Sequence, residues 1–172
     1  MAARYMTLFQ GARKLVEALV VSAGSADAGK IVALDSSGRL NESLMPLGVG
    51  ADTVSATASE TIGAGKFVNF HDDAGTFSVR LADNSNGRRA DGFVQEEVTA
   101  AGVATVYPMD GTNAALTGLA VGARYWLGTA GGVIAAALDE TDALNANKIS
   151  QFVGTAKSST ELVTDDSDPV TL

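Results

Sequence analysis

The residues that could do chemistry come first. Gly24-Ser25-Ala26-Asp27-Ala28-Gly29-Lys30 satisfies the first seven positions of a phosphate-binding loop. The eighth position needs a Ser or Thr hydroxyl to hold Mg²⁺, and Ile31 stands there. Such a loop must also open a helix whose N-terminal amides face the phosphates. Here Ile31-Val32-Ala33-Leu34 is β-prone and meets a turn at Asp35, so the segment reads as a turn. Ile62-Gly63-Ala64-Gly65-Lys66 fails sooner, because the motif's first glycine falls on Glu60. Asp83-Asn84-Ser85-Asn86-Gly87 has the flavour of a calcium loop, but its glycine comes one position early and Asn-Gly suits the tip of a hairpin. Asp165-Asp166-Ser167-Asp168 reads as a solvated acidic tail before Pro169.

Catalytic groupings fare no better. His71 is followed by Asp72 and Asp73, and a carboxylate could orient its imidazole for general-base work. Nothing in the sequence marks a nucleophile in reach, and no Gly-x-Ser-x-Gly elbow occurs, so a surface histidine is the expectation. Glu96 and Glu97 are adjacent in a candidate strand, which would send their side chains to opposite faces. Trp126, beside Tyr125, is the largest apolar group. Strand alternation puts one of the two aromatics towards the core and the other on the opposite side, with a half-buried core Trp126 as the expectation and an exposed aromatic as a subunit contact otherwise. The sequence therefore predicts no enzyme, no cofactor and no metal site.

Composition agrees with that reading. The 172 residues suit one ordinary domain at a prior of about 150 residues each. Cysteine is absent, which removes disulfides and thiolate chemistry, and a single histidine cannot build a multi-histidine metal site. The net charge of −8 disfavours a nucleic-acid partner. No apolar run approaches the ~20 residues of a membrane helix, and the stretch after Lys14 is too short and too interrupted for a secretory signal, so a soluble, untargeted protein is expected. The 29 alanines and 19 glycines inflate the apolar fraction without adding much buried area, which favours a modest core and burial against further copies or a partner.

The elements that must position these residues fall into two regions. Residues 1–50 hold five basic and four acidic residues, a net of +1, while 51–172 hold seven and sixteen, a net of −9. The pattern predicts an N-terminal arm over 1–50 and a β-rich body over 51–172. Within the arm, Leu15, Val16, Leu19 and Val20 fit one face of a short helix, whereas Val20-Val21 favours a strand, and both stay open. Lys30–Leu34 is a strand candidate, and Pro46, Gly48 and Gly50 loosen the chain before the body. In the body, strand candidates are Thr53–Ala58, Lys66–Phe70, Phe77–Leu81, Gly92–Val98, Val103–Tyr107, Arg124–Leu127, Gly132–Ala136, Lys148–Ala156 and Glu161–Val163. Turn clusters such as Asp72–Gly75, Asn84–Gly87 and Asp110–Asn113 divide them, and Asp139–Ala146 is a helical turn or a loop. The whole reads as all-β, an antiparallel β-sandwich or barrel with an extended N-terminal arm.

Several stretches resemble one family. Asp27 to Leu40 leading into Leu44-Met45-Pro46, Asn86 to Val94, Leu116 to Leu119, Gly122 to Gly128 and the closing Asp168-Pro169-Val170-Thr171-Leu172 together look like the capsid decoration, or cement, proteins of tailed bacteriophages. Similar segments occur in phage head and tail fibre proteins. The resemblance implies a β-rich structural virion protein on the outer capsid surface that stabilises it. Its partners would be the major capsid protein and further copies of itself, as trimers in preference to dimers, with no nucleic acid and no membrane. The alternative it implies is a head- or tail-fibre component that binds a host surface. Within the arm, Met6, Leu8, Phe9, Leu15, Val16 and Leu19 are the expected apolar contacts with the capsid or a neighbouring protomer.

Overall fold

The computed structural model describes residues 4–36, 38–45 and 52–172, and the chain divides into two units, Met1–Ala51 and Asp52–Leu172. Among the described residues all regular structure is β-strand or single 3₁₀ turns, so the chain is all-β.

In the first unit, β1 (Arg4–Phe9) and β2 (Ala12–Glu17) pair antiparallel from Arg4↔Glu17 to Phe9↔Ala12. Gln10 and Gly11 alone connect them, with φ of 50° and 80°. Two consecutive positive φ values let a two-residue loop follow the right-handed twist of its strands. Leu15 and Val16 thus belong to a strand and not to a helix, while Val20 and Val21, the residues that favoured a strand, lie in bends outside it. The Lys30–Leu34 candidate contributes only an isolated parallel bridge, Leu19↔Val32, closed by Leu19 N–H to Ile31 O and Ala33 N–H to Leu19 O, each 2.8 Å. No described residue of this unit is fully buried. Ser37, Pro46, Gly48 and Gly50 lie outside the described residues.

The second unit opens with five strands that close a barrel: β3 (Val54–Ala58), β4 (Phe67–Asp73), β5 (Thr76–Leu81), β6 (Gly92–Val94) and β7 (Val103–Tyr107), in the order β3-β5-β4-β6-β7. Four of its pairings are antiparallel. The β3–β5 pair is parallel over Thr57↔Ser78 and Ala58↔Val79, a departure from the purely antiparallel arrangement expected. Barrel diameter grows with strand number, so five strands leave a narrow interior. Ala56, Ala58, Val68, Val79, Val94, Ala104 and Val106 fill it, which gives the small apolar residues of this sequence their use.

The outward positions of the same strands build a second core. Phe67, Phe93 and Tyr107 alternate with the inward set, and Phe93 lies 6.1 Å from Phe67 and stacks on Tyr107 at 5.7 Å. Against them packs a sheet of β8 (Thr112–Asn113), β9 (Arg124–Leu127), β10 (Val133–Ile134), β12 (Phe152–Ala156) and β13 (Leu162–Thr164), in the order β10-β9-β12-β13-β8. Tyr125, Leu127, Val153 and Leu162 face this core. Both outer strands of the sheet are only two residues long. A short pair, β11 (Ile149–Ser150) with β14 (Val170–Thr171), ties down the last residues.

Buried polar side chains join these layers through hydrogen bonds to the backbone. Gln151 accepts from Ala90 N–H at 2.7 Å and donates to the carbonyls of Ala90 and Ser167 at 3.0 Å. Asn113 donates to Gly65 O at 2.8 Å, and Asn84 to Leu127 O at 2.9 Å. In β12 the register slips between Phe152 and Gly154, leaving Phe152 opposite Trp126 on the face away from the core. Gly154 has φ +147°, and a Cβ there would collide with the Val163 carbonyl, so the bulge demands glycine.

Candidate functional site

The loops that imitate ligand motifs are tied to themselves. Ser25–Asp27 is one 3₁₀ turn, and the residues directly after Lys30, Ile31 to Asp35, open no helix. Lys30 Nζ sits 2.5 Å from Asp27 Oδ1, and Ala23 N–H donates to Asp27 Oδ2 at 2.6 Å. The Lys30 hydrogen bond, then that of Ala23, holds the Asp27 carboxyl below its usual range. The lysine a phosphate would need is thus spent on a neighbouring carboxylate. Asp83 and Arg88 bridge around the Asn84–Gly87 turn, as a hairpin tip should. Asp83 accepts from the Ser85 amide and hydroxyl and from Ala130 N–H. Partial burial, the largest single influence, pushes its pKa up, but these hydrogen bonds and the Arg88 charge outweigh it, and the net shift is downward. Among the described residues no cluster of three or more His, Asp or Glu is placed to hold a metal ion.

His71 has a neighbour that the sequence did not reveal. Its Nε2 lies 3.1 Å from Ser59 Oγ, brought there by the loop after β3, and the same hydroxyl donates to Asp73 Oδ2 at 3.1 Å. Ser, His and Asp therefore meet, but in the wrong order for a nucleophile. A catalytic carboxylate bonds the imidazole Nδ1, leaving Nε2 to take the serine proton. Here the Asp73 carboxylate bonds Ser59 rather than the imidazole, and His71 Nδ1 is buried without a partner. Glu96 and Glu97 also differ from expectation. β6 ends at Val94, so both lie beyond the strand, Glu96 in a bend with Glu97 after it, and border one cleft with Val98, Thr99 and Val103.

The expected contact residues of the first unit divide between the two faces of the hairpin. Directly opposed residues share a face, so the Met6↔Leu15 and Leu8↔Arg13 pairs set Met6, Leu8 and Leu15 together, with Arg4, Arg13 and Glu17 around them. These three are uncovered to 66%, 73% and 58%. Val16 pairs with Tyr5 on the other face and is half-buried, as is Leu19 in its bridge with Val32. The Tyr5 hydroxyl accepts from Ile31 N–H at 3.4 Å. The Phe9 side chain lies outside the described residues. The sequence signal for this hairpin is Gln10-Gly11, whose glycine suits a two-residue turn between two six-residue segments.

A second exposed feature lies on the outer face of the five-stranded sheet. Tyr125 points into the core and its hydroxyl accepts from Ala120 N–H, so Trp126 points away; it is half-buried but is not part of the core. Its ring meets Phe152 edge to face at 5.6 Å. The Arg124 guanidinium stands over both, 4.4 Å from the Phe152 centroid and 5.5 Å from that of Trp126, a cation–π arrangement.

No family model and no curated protein matches the chain. Among solved structures it is similar to the head fiber gp8.5 N base of bacteriophage phi29, at 14% identity and a TM-score of 0.45, over 69% of this chain and 98% of that one.

Proposed function

We propose that this protein is a structural virion component that decorates the outer surface of a phage capsid and stabilises it. It attaches to the major capsid protein and associates with further copies of itself, as trimers in preference to dimers. One observation carries the reading: among the described residues of the first unit none is fully buried, yet its hairpin presents Met6, Leu8 and Leu15 on one uncovered face. A lone two-stranded hairpin is marginal in water, and a partner surface that covers this face supplies what the unit lacks. The sequence segments that resemble decoration proteins support the same role, and the acidic body suits an exterior position facing solvent. Repeated over a symmetric lattice, such contacts add through avidity. In this reading the role is structural, and the Ser59 hydroxyl, shared between His71 and Asp73, serves to tie the end of β4 to the loop after β3.

Co-sedimentation with capsids that lack the protein tests this, at graded protein concentration. Saturable binding at a fixed ratio to the major capsid protein is expected, and absence of binding to an intact lattice refutes it. A second reading, a head- or tail-fibre component that binds a host surface, is favoured by the outward aromatic face at Trp126 and Phe152.

A further inference from the structure

An asparagine can be modified by its own chain, because the backbone nitrogen that follows it can attack the side-chain amide carbon. Folding protects it by burying the side chain or by holding that nitrogen in a hydrogen bond, which must be released before the atom can approach. Most of the seven asparagines are protected in these ways. Asn69, Asn84, Asn113 and Asn145 are buried, and the amide after each donates a hydrogen bond of its own. Asn147 is exposed, but the Lys148 amide after it donates to Asn145 O at 3.0 Å. Asn41 is half-buried and has no glycine after it. Asn86 has neither protection. It is exposed in the turn between Asp83 and Arg88, and the Gly87 amide makes no hydrogen bond with any described residue. Glycine has no Cβ to crowd its own nitrogen, and nothing stands within 4 Å of where one would lie.

The turn also prepares the amide carbon for attack. Asn86 Oδ1 accepts from Arg88 N–H at 3.3 Å, a local bond that folds the side-chain carbonyl back over Gly87. This oxygen takes up negative charge as a nitrogen adds to Cγ. The Arg88 amide, which it shares with Asp83 O at 3.1 Å, is therefore a donor already aimed at the developing oxyanion. We infer that Asn86 is a site of self-modification, in which Gly87 N closes a succinimide ring on the Asn86 side chain. The nitrogen gives up its proton and bonds Cγ, the bond from Cγ to Nδ2 breaks, and ammonia leaves with the proton. Solvent water then opens the ring at either of its carbonyls, leaving aspartate or isoaspartate at position 86. Nothing is oxidised or reduced. Each event adds a negative charge to an already acidic body, and isoaspartate also inserts a methylene into the backbone of the turn. The inference is independent of capsid attachment, since the turn and the hairpin face share no residue.

The purified full chain is aged in warm neutral buffer, sampled over weeks, and its tryptic fragments are sequenced by mass spectrometry. The fragment Leu81–Arg88 holds both Asn84 and Asn86, so it contains its own protected control. Conversion is expected at Asn86, with aspartate and isoaspartate both present. Its rate should exceed that of any other asparagine by about tenfold or more, the equivalent of releasing one backbone hydrogen bond. Asn86→Gln leaves the backbone unchanged and can close only a larger ring, far more slowly. That variant should keep a constant isoelectric point over the period in which the parent turns more acidic. The synthetic peptide Leu81–Arg88 sets the time scale. Asn86 still intact in the folded chain when the peptide has converted overturns the inference. So does aspartate without isoaspartate, which means direct hydrolysis by water, or conversion of Asn84 at the same rate as Asn86.

Discussion

Removing the apolar face of the hairpin should detach the protein without unfolding its body. Leucine to alanine deletes three side-chain carbons, worth ~2.4 kcal/mol on complete transfer at ~0.8 kcal/mol per carbon. Leu8 is 73% uncovered, which sets the share a partner can newly bury. Leu8→Ala should then weaken attachment by ~1.8 kcal/mol, about twentyfold in Kd. Met6 and Leu15, at 66% and 58% uncovered, extend the loss in the Met6→Ala/Leu8→Ala/Leu15→Ala protein. There it reaches ~4–5 kcal/mol, about three powers of ten. None of the three belongs to either core of the second unit, so the thermal midpoint of the body should move by no more than about 2 °C. A parallel triple substitution to threonine keeps β propensity and separates lost contact from a lost strand. The assay is co-sedimentation with capsids lacking the protein, over a concentration range that spans both Kd values. An apparent Kd within about threefold of the parent, in both triple variants, would show that this face is not the contact and that the burial reasoning fails.

Other consequences are smaller in scope. Phe93→Ala should cost about 3–5 kcal/mol in urea unfolding, because it empties the space between Phe67 and Tyr107; a loss under ~1 kcal/mol would mean that this layer is not a packed core. Gly154→Ala should destabilise by about 2 kcal/mol or more, whereas Gly75→Ala, with positive φ but open space around it, should cost only about 1 kcal/mol. Equal losses in the two would contradict the bulge geometry. Because the Asp83 carboxyl titrates below its ordinary 3.8 when folded, its contribution is present above that value and is lost as pH falls through the folded pKa. The stability gap between the parent and Asp83→Asn should therefore close below about pH 4, and a gap constant from pH 6 to pH 2 would argue against it. Ser59 should resist a fluorophosphonate probe, and labelling that disappears in Ser59→Ala would restore a catalytic reading of His71.

The legibility of the chain follows from the range over which each signal acts. Val103–Tyr107 and Arg124–Leu127 have the bounds read from sequence, because alternation and flanking glycines define them locally. Gly92–Val98 proves shorter, ending at Val94 where the chain bends through Gln95 and Glu96. Thr112–Asn113 has the composition of a turn and becomes a strand only because Leu162 and Val163 pair with it and Gly65 accepts from Asn113. The parallel pairing of β3 with β5 is a long-range register that no local pattern encodes. Nor could spacing bring Ser59 to His71, since their meeting depends on barrel closure. Among the contact residues, the Met6, Leu8 and Leu15 face needed only recognition of Gln10-Gly11 as a turn, after which register follows.

The barrel has no free edge, and the sheet beside it ends in strands of two residues, Thr112–Asn113 and Val133–Ile134. Unpaired edges are where chains zip into fibrils, and short or absent ones deny them a template. The second unit can thus be crowded side by side at high density without its sheets fusing. The six-residue strands of the hairpin have no such protection. Any extended self-assembly of this protein should accordingly begin at the hairpin, and a protein shortened to residues 52–172 should stay dispersed in concentrated solution.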